Sequence, residues 1–298
     1  MEIFKGENLV EFTERFKTDE ACKEYLASIK WCEGYECRRC RHTNATIRKD
    51  LSRCCTRCKT IESPTSNTLF HKVKFGIRKA FLIAFEMTAS TKGLSDCQIA
   101  KRYGISRPTA WLFTKKIRKA MKSTENFPID GNVHVDEFVV GGKEVGKQGR
   151  SYDTKKAKAV CAVELSENNG VKRVYIKTIT DYSSKSLNTI FDSHISVNSS
   201  VVTDQWRGYR PIAKEYNITQ LKSDGGKNFI QIHTIIHQVK SWIRTTFAHV
   251  HKGHIQEYFD EYCFRINRSI FKETIFHKLI ERVVRHNHVS YQQIIVSS

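Results

Sequence analysis

The sequence predicts a mixed α+β or α/β protein. Cysteine-rich and helical elements fill its first 125 residues, and a strand-rich domain with C-terminal helices fills the rest. Three observations carry this expectation. Six of the ten cysteines crowd into residues 32–58. Apolar residues then recur at helical spacing as far as residue 121. Beyond a linker around Phe127-Pro128-Ile129-Asp130-Gly131, short apolar runs bounded by turn residues replace that spacing. A chain of 298 residues accommodates two or three compact units.

Composition narrows the function classes. Hydrophobic content of 40% and aromatic content of 11% support a folded chain over a disordered one. No apolar run approaches membrane-spanning length, and Met1-Glu2-Ile3-Phe4-Lys5 lacks the apolar core of a signal peptide. A cytoplasmic protein without a membrane partner is therefore expected. The net charge of +19 is unevenly spread. Residues 30–125 hold 22 Lys/Arg against 7 Asp/Glu, a balance of +15, whereas residues 1–29 hold 4 against 7, a balance of −3. Concentrated positive charge favours polyanions through steering and counterion release, so nucleic acid is the expected partner.

Residues 1–30 read as a helical lead-in, with Phe12, Phe16, Cys22, Tyr25, Leu26 and Ile29 as its apolar stripe. Residues 31–75 read as a zinc ribbon. Cys37-Arg38-Arg39-Cys40 and Cys55-Thr56-Arg57-Cys58 are two Cys-x-x-Cys knuckles, 14 residues apart. Each turns two thiolates toward one ion, and four thiolates complete a closed, structural Zn²⁺ site. Cys32 and Cys54 lack the two-residue gap and are read as ordinary thiols. Asn67 suits a left-handed turn. Residues 76–125 read as a helix-turn-helix DNA-binding domain. An apolar helix is followed by one opening near Ser95 and ending at Gly104. Ile105 fills the corner, Ser106 caps the second helix, and Pro108 falls in its first turn. Arg107, Thr109, Lys115, Lys116, Arg118 and Lys119 on that helix are the expected DNA contacts, with base edges near its start and phosphates along it.

Residues 130–285 read as a catalytic domain. Its first strand spans residues 132–141. Glycines 141, 142, 146 and 149, interleaved with Lys143, Lys147 and Arg150, suggest a basic hairpin or loop. Two strands (157–165 and 173–179), a helix (183–194), a buried strand ending at Asp204, a fifth strand near 218–221 and long helices follow. This is the element order of an RNase-H-like mixed sheet.

Ends of adjacent strands lie about 5 Å apart, so Asp136 and Asp204 can share metal. Paired carboxylates suit Mg²⁺ or Mn²⁺, and two such ions activate an attacking oxygen and stabilise a leaving one. Alternation along the strand directs Glu137 to the opposite face, outside the site. His233, His237 and Lys240 fall on one helical face. His233 is a candidate third ligand and Lys240 a candidate phosphate contact. Glu261 is the alternative third acid, or else a structural partner of Arg265 or Arg268.

These motifs together resemble bacterial insertion-sequence transposases of the DDE class. The group resembled has an N-terminal zinc ribbon and an ISXO-type catalytic domain, and is related to the eukaryotic Merlin elements. The resemblance covers residues 10–290. It rests on the doubled knuckle, the Asn67-Thr68-Leu69-Phe70 turn, the helix-turn-helix and Val135-Asp136-Glu137-Phe138-Val139-Val140-Gly141-Gly142. It rests further on Thr203-Asp204-Gln205-Trp206-Arg207-Gly208-Tyr209, Lys240-Ser241-Trp242-Ile243-Arg244-Thr245 and the run from His254 to Arg268. It implies Mg²⁺-dependent DNA transposition, with Asp136 and Asp204 matching the first two acids. Expected partners are double-stranded terminal inverted repeats, target DNA and a second copy of the chain in a synaptic dimer at the bacterial nucleoid. Many relatives carry Glu seven residues before the helix lysine, where this chain has His233, and Gly where it has Asn67. A catalytically inactive DNA-binding relative and an RNase-H-like nuclease are the alternative readings.

Overall fold

The computed structural model describes residues 3–90, 92–142, 144 and 154–296. The expected basic hairpin residues Lys143, Gly146, Lys147, Gly149 and Arg150 lie outside them. Chain contacts divide the protein into two units, Met1–Met121 with Arg268–Ser298, and Lys122–Asn267.

In the first unit, side-chain caps set the opening helices. Asn8 accepts from the Glu11 N–H at 3.0 Å ahead of α1 (Leu9–Arg15), and Thr18 accepts from Ala21 at 3.2 Å ahead of α2 (Asp19–Lys30). A small antiparallel sheet follows, in the order β1 (Ala45–Ile47), β2 (Arg53–Cys55), β3 (Ile61–Glu62). Asn67 takes the expected left-handed turn, with φ 58°. Phe70, three residues on, is fully buried and stacks on Phe113. Next come α3 (Ile77–Ala89), α4 (Asp96–Tyr103) and α5 (Arg107–Met121). A reciprocal Ser95–Gln98 capping box opens α4, and Gly104 closes it at φ 61°. The Ser106 hydroxyl accepts from the Thr109 N–H at 3.3 Å at the start of α5.

The second unit is built on a mixed five-stranded sheet of β4 (Asn132–Val140), β5 (Ala157–Leu165), β6 (Val171–Ile179), β7 (Ser200–Thr203) and β8 (Asn217–Gln220). Their spatial order is β6-β5-β4-β7-β8, with β4–β5 and β5–β6 antiparallel and β4–β7 and β7–β8 parallel. Every residue of β5 is buried, because both of its faces are covered. Val160 and Ala162 pack toward α6 (Ser184–His194), in a core that also takes Val133 and Val135 of β4. Ala159, Cys161 and Val163 pack the other way, against α7 (Ile230–Thr246) and α8 (Ile255–Ile266). Phe138 of β4 joins that second layer. Thus His134, Asp136 and Phe138 share the α7 face of β4.

The chain then rejoins the first unit. Helix α9 (Ile275–Arg285) buries Phe276, Leu279, Ile280 and Val283. The Phe276 ring lies 5.1 Å from Phe12, 5.6 Å from Phe81 and 5.9 Å from Phe85. The sheet domain, expected to run to residue 285, ends at Asn267 by chain contacts. The apolar face of α9 instead fills the aromatic core of α1, α2 and α3. A short α10 (Tyr291–Val296) ends the described chain.

Candidate active site

The pairing of β4 with β7 explains how two distant aspartates meet. Their parallel register ends at Val135↔Thr203. Asp136 and Asp204 are the next residue on each chain, one strand spacing apart. Ligand oxygens of Asp136, Asp204 and Glu137 all lie within 4.8 Å of one another.

Glu137 was expected to point out of this site, and the structure corrects that. The alternation itself holds. The Glu137 carboxylate accepts a 2.6 Å hydrogen bond from Tyr209, which belongs to the core on the α6 side of the sheet. The expectation failed because β7 stops one residue earlier. With no strand beside them on the β7 side, adjacent carboxylates of opposite facing reach around that open edge to the same point. Tyr209 is delivered by the turn after Asp204. Asp204 Oδ1 accepts from the Trp206 N–H at 3.0 Å, and the Trp206 indole donates to the Tyr182 carbonyl at 3.0 Å. Gly208 is required here, since a Cβ would lie 2.6 Å from the Trp206 indole nitrogen and 2.9 Å from the Tyr182 oxygen. Gln220 at the end of β8 ties the Asp204 and Trp206 carbonyls at 3.0 and 2.9 Å. Burial, followed by the charges of Glu137, Asp136 and Asp204, pushes the Tyr209 phenol well above its ordinary pKa, so it remains a donor.

Helix α7 supplies the flanking groups. His233 Nε2 lies 3.2 Å from Asp136 Oδ2. Burial, and then the nearby Lys240 cation, lowers the His233 pKa and favours neutral imidazole. The ring packs on Gly226, where φ is +91° and a Cβ would stand 2.9 Å from Nδ1. The Gly225-Gly226 break thus has a local purpose, because it lets the backbone approach this imidazole. Lys240 sits 5.4 Å from the Phe138 ring centroid. Burial lowers its pKa, with Asp136 acting in the opposite sense. His237 is exposed on the same helix. Glu261 is fully buried on α8; burial lowers the Arg265 pKa, and the Glu261 charge acts in the opposite sense. It is not part of the Asp136–Glu137–Asp204 cluster found among the described residues.

The four knuckle cysteines also converge, with Cys37–Cys58 and Cys40–Cys55 sulfur separations of 3.5 and 3.6 Å. A tetrahedron with metal–sulfur bonds of about 2.3 Å has edges of about 3.8 Å, so the four thiols fit one ion. Hydrogen bonds from Thr60 lower the Cys58 pKa to about 6, and the Cys40 N–H lowers that of Cys37. Cys32 and Cys54 lie outside the cluster.

Two of the residues expected at DNA are instead internal. Arg118 is fully buried, donates to the Thr114 hydroxyl at 3.1 Å and faces Asp96 at 3.9 Å. Lys115 is 1% exposed, with its ammonium 4.7 Å from the Trp111 ring centroid. Both fall on the broad buried face of α5 shared by Ala110, Thr114, Ile117 and Met121. Arg107 is exposed, while Thr109, Lys116 and Lys119 are half-buried.

Residues 128–267 match the family model of the ISXO2-like transposase domain. That span covers the second unit almost from end to end. This part of the chain is therefore similar to that transposase domain, and the four-cysteine cluster lies ahead of it in the sequence. No curated protein matches the chain significantly. Among the described residues, no helix is long and apolar enough to cross a membrane.

Proposed function

We propose that the protein is a metal-dependent DNA transposase that cuts strands at the ends of its element and joins the freed 3′-hydroxyls to target DNA. The observation that carries this reading is the convergence of Asp136, Glu137 and Asp204 at the matched ends of β4 and β7, inside the transposase-family domain. Three carboxylates whose oxygens lie within 4.8 Å of one another suit a hard divalent cation, Mg²⁺ or Mn²⁺, and four thiolates suit structural Zn²⁺. When bound, the divalent metal would lower the pKa of an attacking hydroxyl and neutralise charge on the leaving oxygen.

The protein groups divide the remaining work. Asp136 and Asp204 are the metal-facing carboxylates. Tyr209 fixes Glu137 beside them through its donated hydrogen bond. Neutral His233 orients Asp136 Oδ2 from 3.2 Å and is the candidate third ligand in the helical position. Lys240 brings a cation for a phosphate oxygen. In cleavage, a water oxygen attacks phosphorus and the 3′ oxygen leaves; in joining, that 3′ oxygen attacks a target phosphorus and displaces a new 3′ oxygen. Positioning two DNA ends would require a homodimer. The exposed start of α5 and the basic cysteine module would hold double-stranded terminal repeats, placing the protein at the nucleoid.

The test is an in vitro reaction with Mg²⁺ on a plasmid carrying the DNA that flanks the coding sequence. Cleavage and strand joining are expected, with both lost in Asp136→Asn and Asp204→Asn. Cleavage without joining would move the reading to a nuclease. Absence of both, in protein that binds DNA and Mg²⁺, would move it to a non-catalytic DNA-binding relative.

A further inference from the structure

A cavity of about 660 Å³ opens in the second unit, between the end of β4, the start of β5, the later turns of α7 and the segment after it. Its floor is apolar, formed by Val140, Ala157, Ile243, Phe247 and Val250. Its rim carries Lys155, His237, Arg244, His249, His251 and Lys252, all exposed. Lys240 also lines it. No Asp or Glu occurs among the described lining residues, although 31 are present in the chain.

The position is as informative as the lining. Lys240 stands over Phe138, two residues along β4 from Asp136 and on the same face. The carboxylate cluster and the cationic cavity are therefore consecutive along one strand and one helix. A ligand that fits both must carry an anionic group for the rim and a flat apolar body for the floor. A bare phosphate would leave the floor unused. An intact duplex would keep its bases stacked inward and touch only the rim. A base outside the stack, resting near an aromatic side chain with its phosphates on Lys and Arg, uses both surfaces. The volume falls within the range of about 300–1,000 Å³ typical of sites that enclose small organic groups.

We propose that this cavity is a subsite for one nucleotide of an unpaired DNA strand, next to the phosphate positioned at Asp136 and Asp204. It rests on the reading that those carboxylates act on DNA. The cavity would hold the strand end open during cleavage and joining, and it would favour substrates whose terminal pairs separate easily.

The full chain would be irradiated with single-stranded oligothymidylate containing 4-thiothymidine, and crosslinked tryptic peptides would be identified by mass spectrometry. The expected main crosslink lies in the peptide 245–252, which holds Phe247 and Val250. Val250→Trp fills the floor and should lower that crosslink at least tenfold, leaving crosslinks to the cysteine module in place. A second variant, Arg244→Gln with Lys252→Gln, keeps the floor; it also removes both flanking trypsin sites, so its crosslink is read in the peptide 241–265. It should reduce the salt slope of the crosslink by about 1.4, at about 0.7 for each single-strand phosphate deprived of its cation. Annealing the probe to its complement should weaken the signal. No crosslink in 245–252, an undiminished one in Val250→Trp, or equal yield from duplex overturns the proposal. So does equal competition by polyglutamate, which would mark the rim as a general anion surface. Strand joining without this crosslink would remove the subsite and leave the transposase reading intact. The crosslink in a protein that never cuts DNA would support the subsite and overturn that reading.

Discussion

Glu137→Gln separates a metal-binding carboxylate from a merely structural one. Glu137 shares a radius of 4.8 Å with Asp136 and Asp204 and is bonded to Tyr209. At that separation two negative charges repel by about 3.5 kcal/mol at an effective dielectric of 20, and by about 0.9 kcal/mol in bulk water. The half-buried cluster lies between these limits. Removing the Glu137 charge relieves two such pairs, about 1.7 kcal/mol on the water limit. The amide still accepts from Tyr209, but a charge-assisted bond becomes a neutral one, a loss of about 1 kcal/mol. The metal-free variant should therefore be more stable by about 1 kcal/mol or more, a rise of about 2–4 °C in melting temperature for a unit of this size. With Mg²⁺ that advantage should shrink. A ligand at 100 times its Kd adds about 2.7 kcal/mol, and a tenfold weaker Kd removes about 1.4 kcal/mol of that gain. Thermal melting in EDTA and in Mg²⁺ reads both. A lower melting temperature in EDTA with an unchanged Mg²⁺ increment would refute the assignment and leave Glu137 as a brace for the Tyr209 turn.

Three further outcomes follow from the geometry. Cys37→Ser should drop bound zinc from one ion per chain toward none, measured by atomic absorption, because three thiolates no longer close the tetrahedron; unchanged metal content would remove the four-thiolate assignment. Arg118→Ala should cost about 2–5 kcal/mol in chemical denaturation, since it empties the space of a fully buried side chain and removes its hydrogen bond to Thr114, whereas Arg107→Ala should leave stability alone and weaken DNA binding by about 1–3 kcal/mol; the opposite pattern would reverse their roles. His194 is 8% exposed, and burial, then Lys177, lowers its pKa to about 4. The unfolded imidazole takes its proton first, near 6.5, so stability should fall by about 3 kcal/mol as pH drops from 6.5 to 4. His194→Phe should flatten that part of the pH–stability curve, and an unaltered curve would assign the acid loss elsewhere.

Much of the fold and site was legible because its signals are local. The knuckle spacing identifies the four cysteines without knowledge of any other element. The Ser95, Gly104 and Ser106 boundaries follow from cap chemistry within a few residues. The aspartate pair required only that two short apolar runs become adjacent strands. The departures share a different origin. Alternation correctly assigned Glu137 to the opposite face, yet its carboxylate reaches the cluster because β7 ends at Thr203. Nothing within β4 encodes that ending. One available hint was the brevity of the apolar run before Asp204, which left the later part of β4 without a neighbour on that side.

Charge misled in the same way on α5. Lys and Arg suggested an outer face, but the spacing of Ala110, Thr114, Ile117 and Met121 already drew a buried stripe that includes Arg118. The Thr114 hydroxyl, and Asp96 on the preceding helix, help make this burial tolerable. The C-terminal helix follows the same logic, since the apolar stripes of α1, α2 and α3 require a facing apolar surface that their own segment does not supply. Phe276 supplies it from nearly 200 residues downstream of α3. A residue type thus limits what a side chain can do, while the ends and arrivals of neighbouring elements decide whether it does so. That is why Asp136 could be read from its strand alone, whereas Glu137 needed the register of β4 against β7 and the hydroxyl of Tyr209.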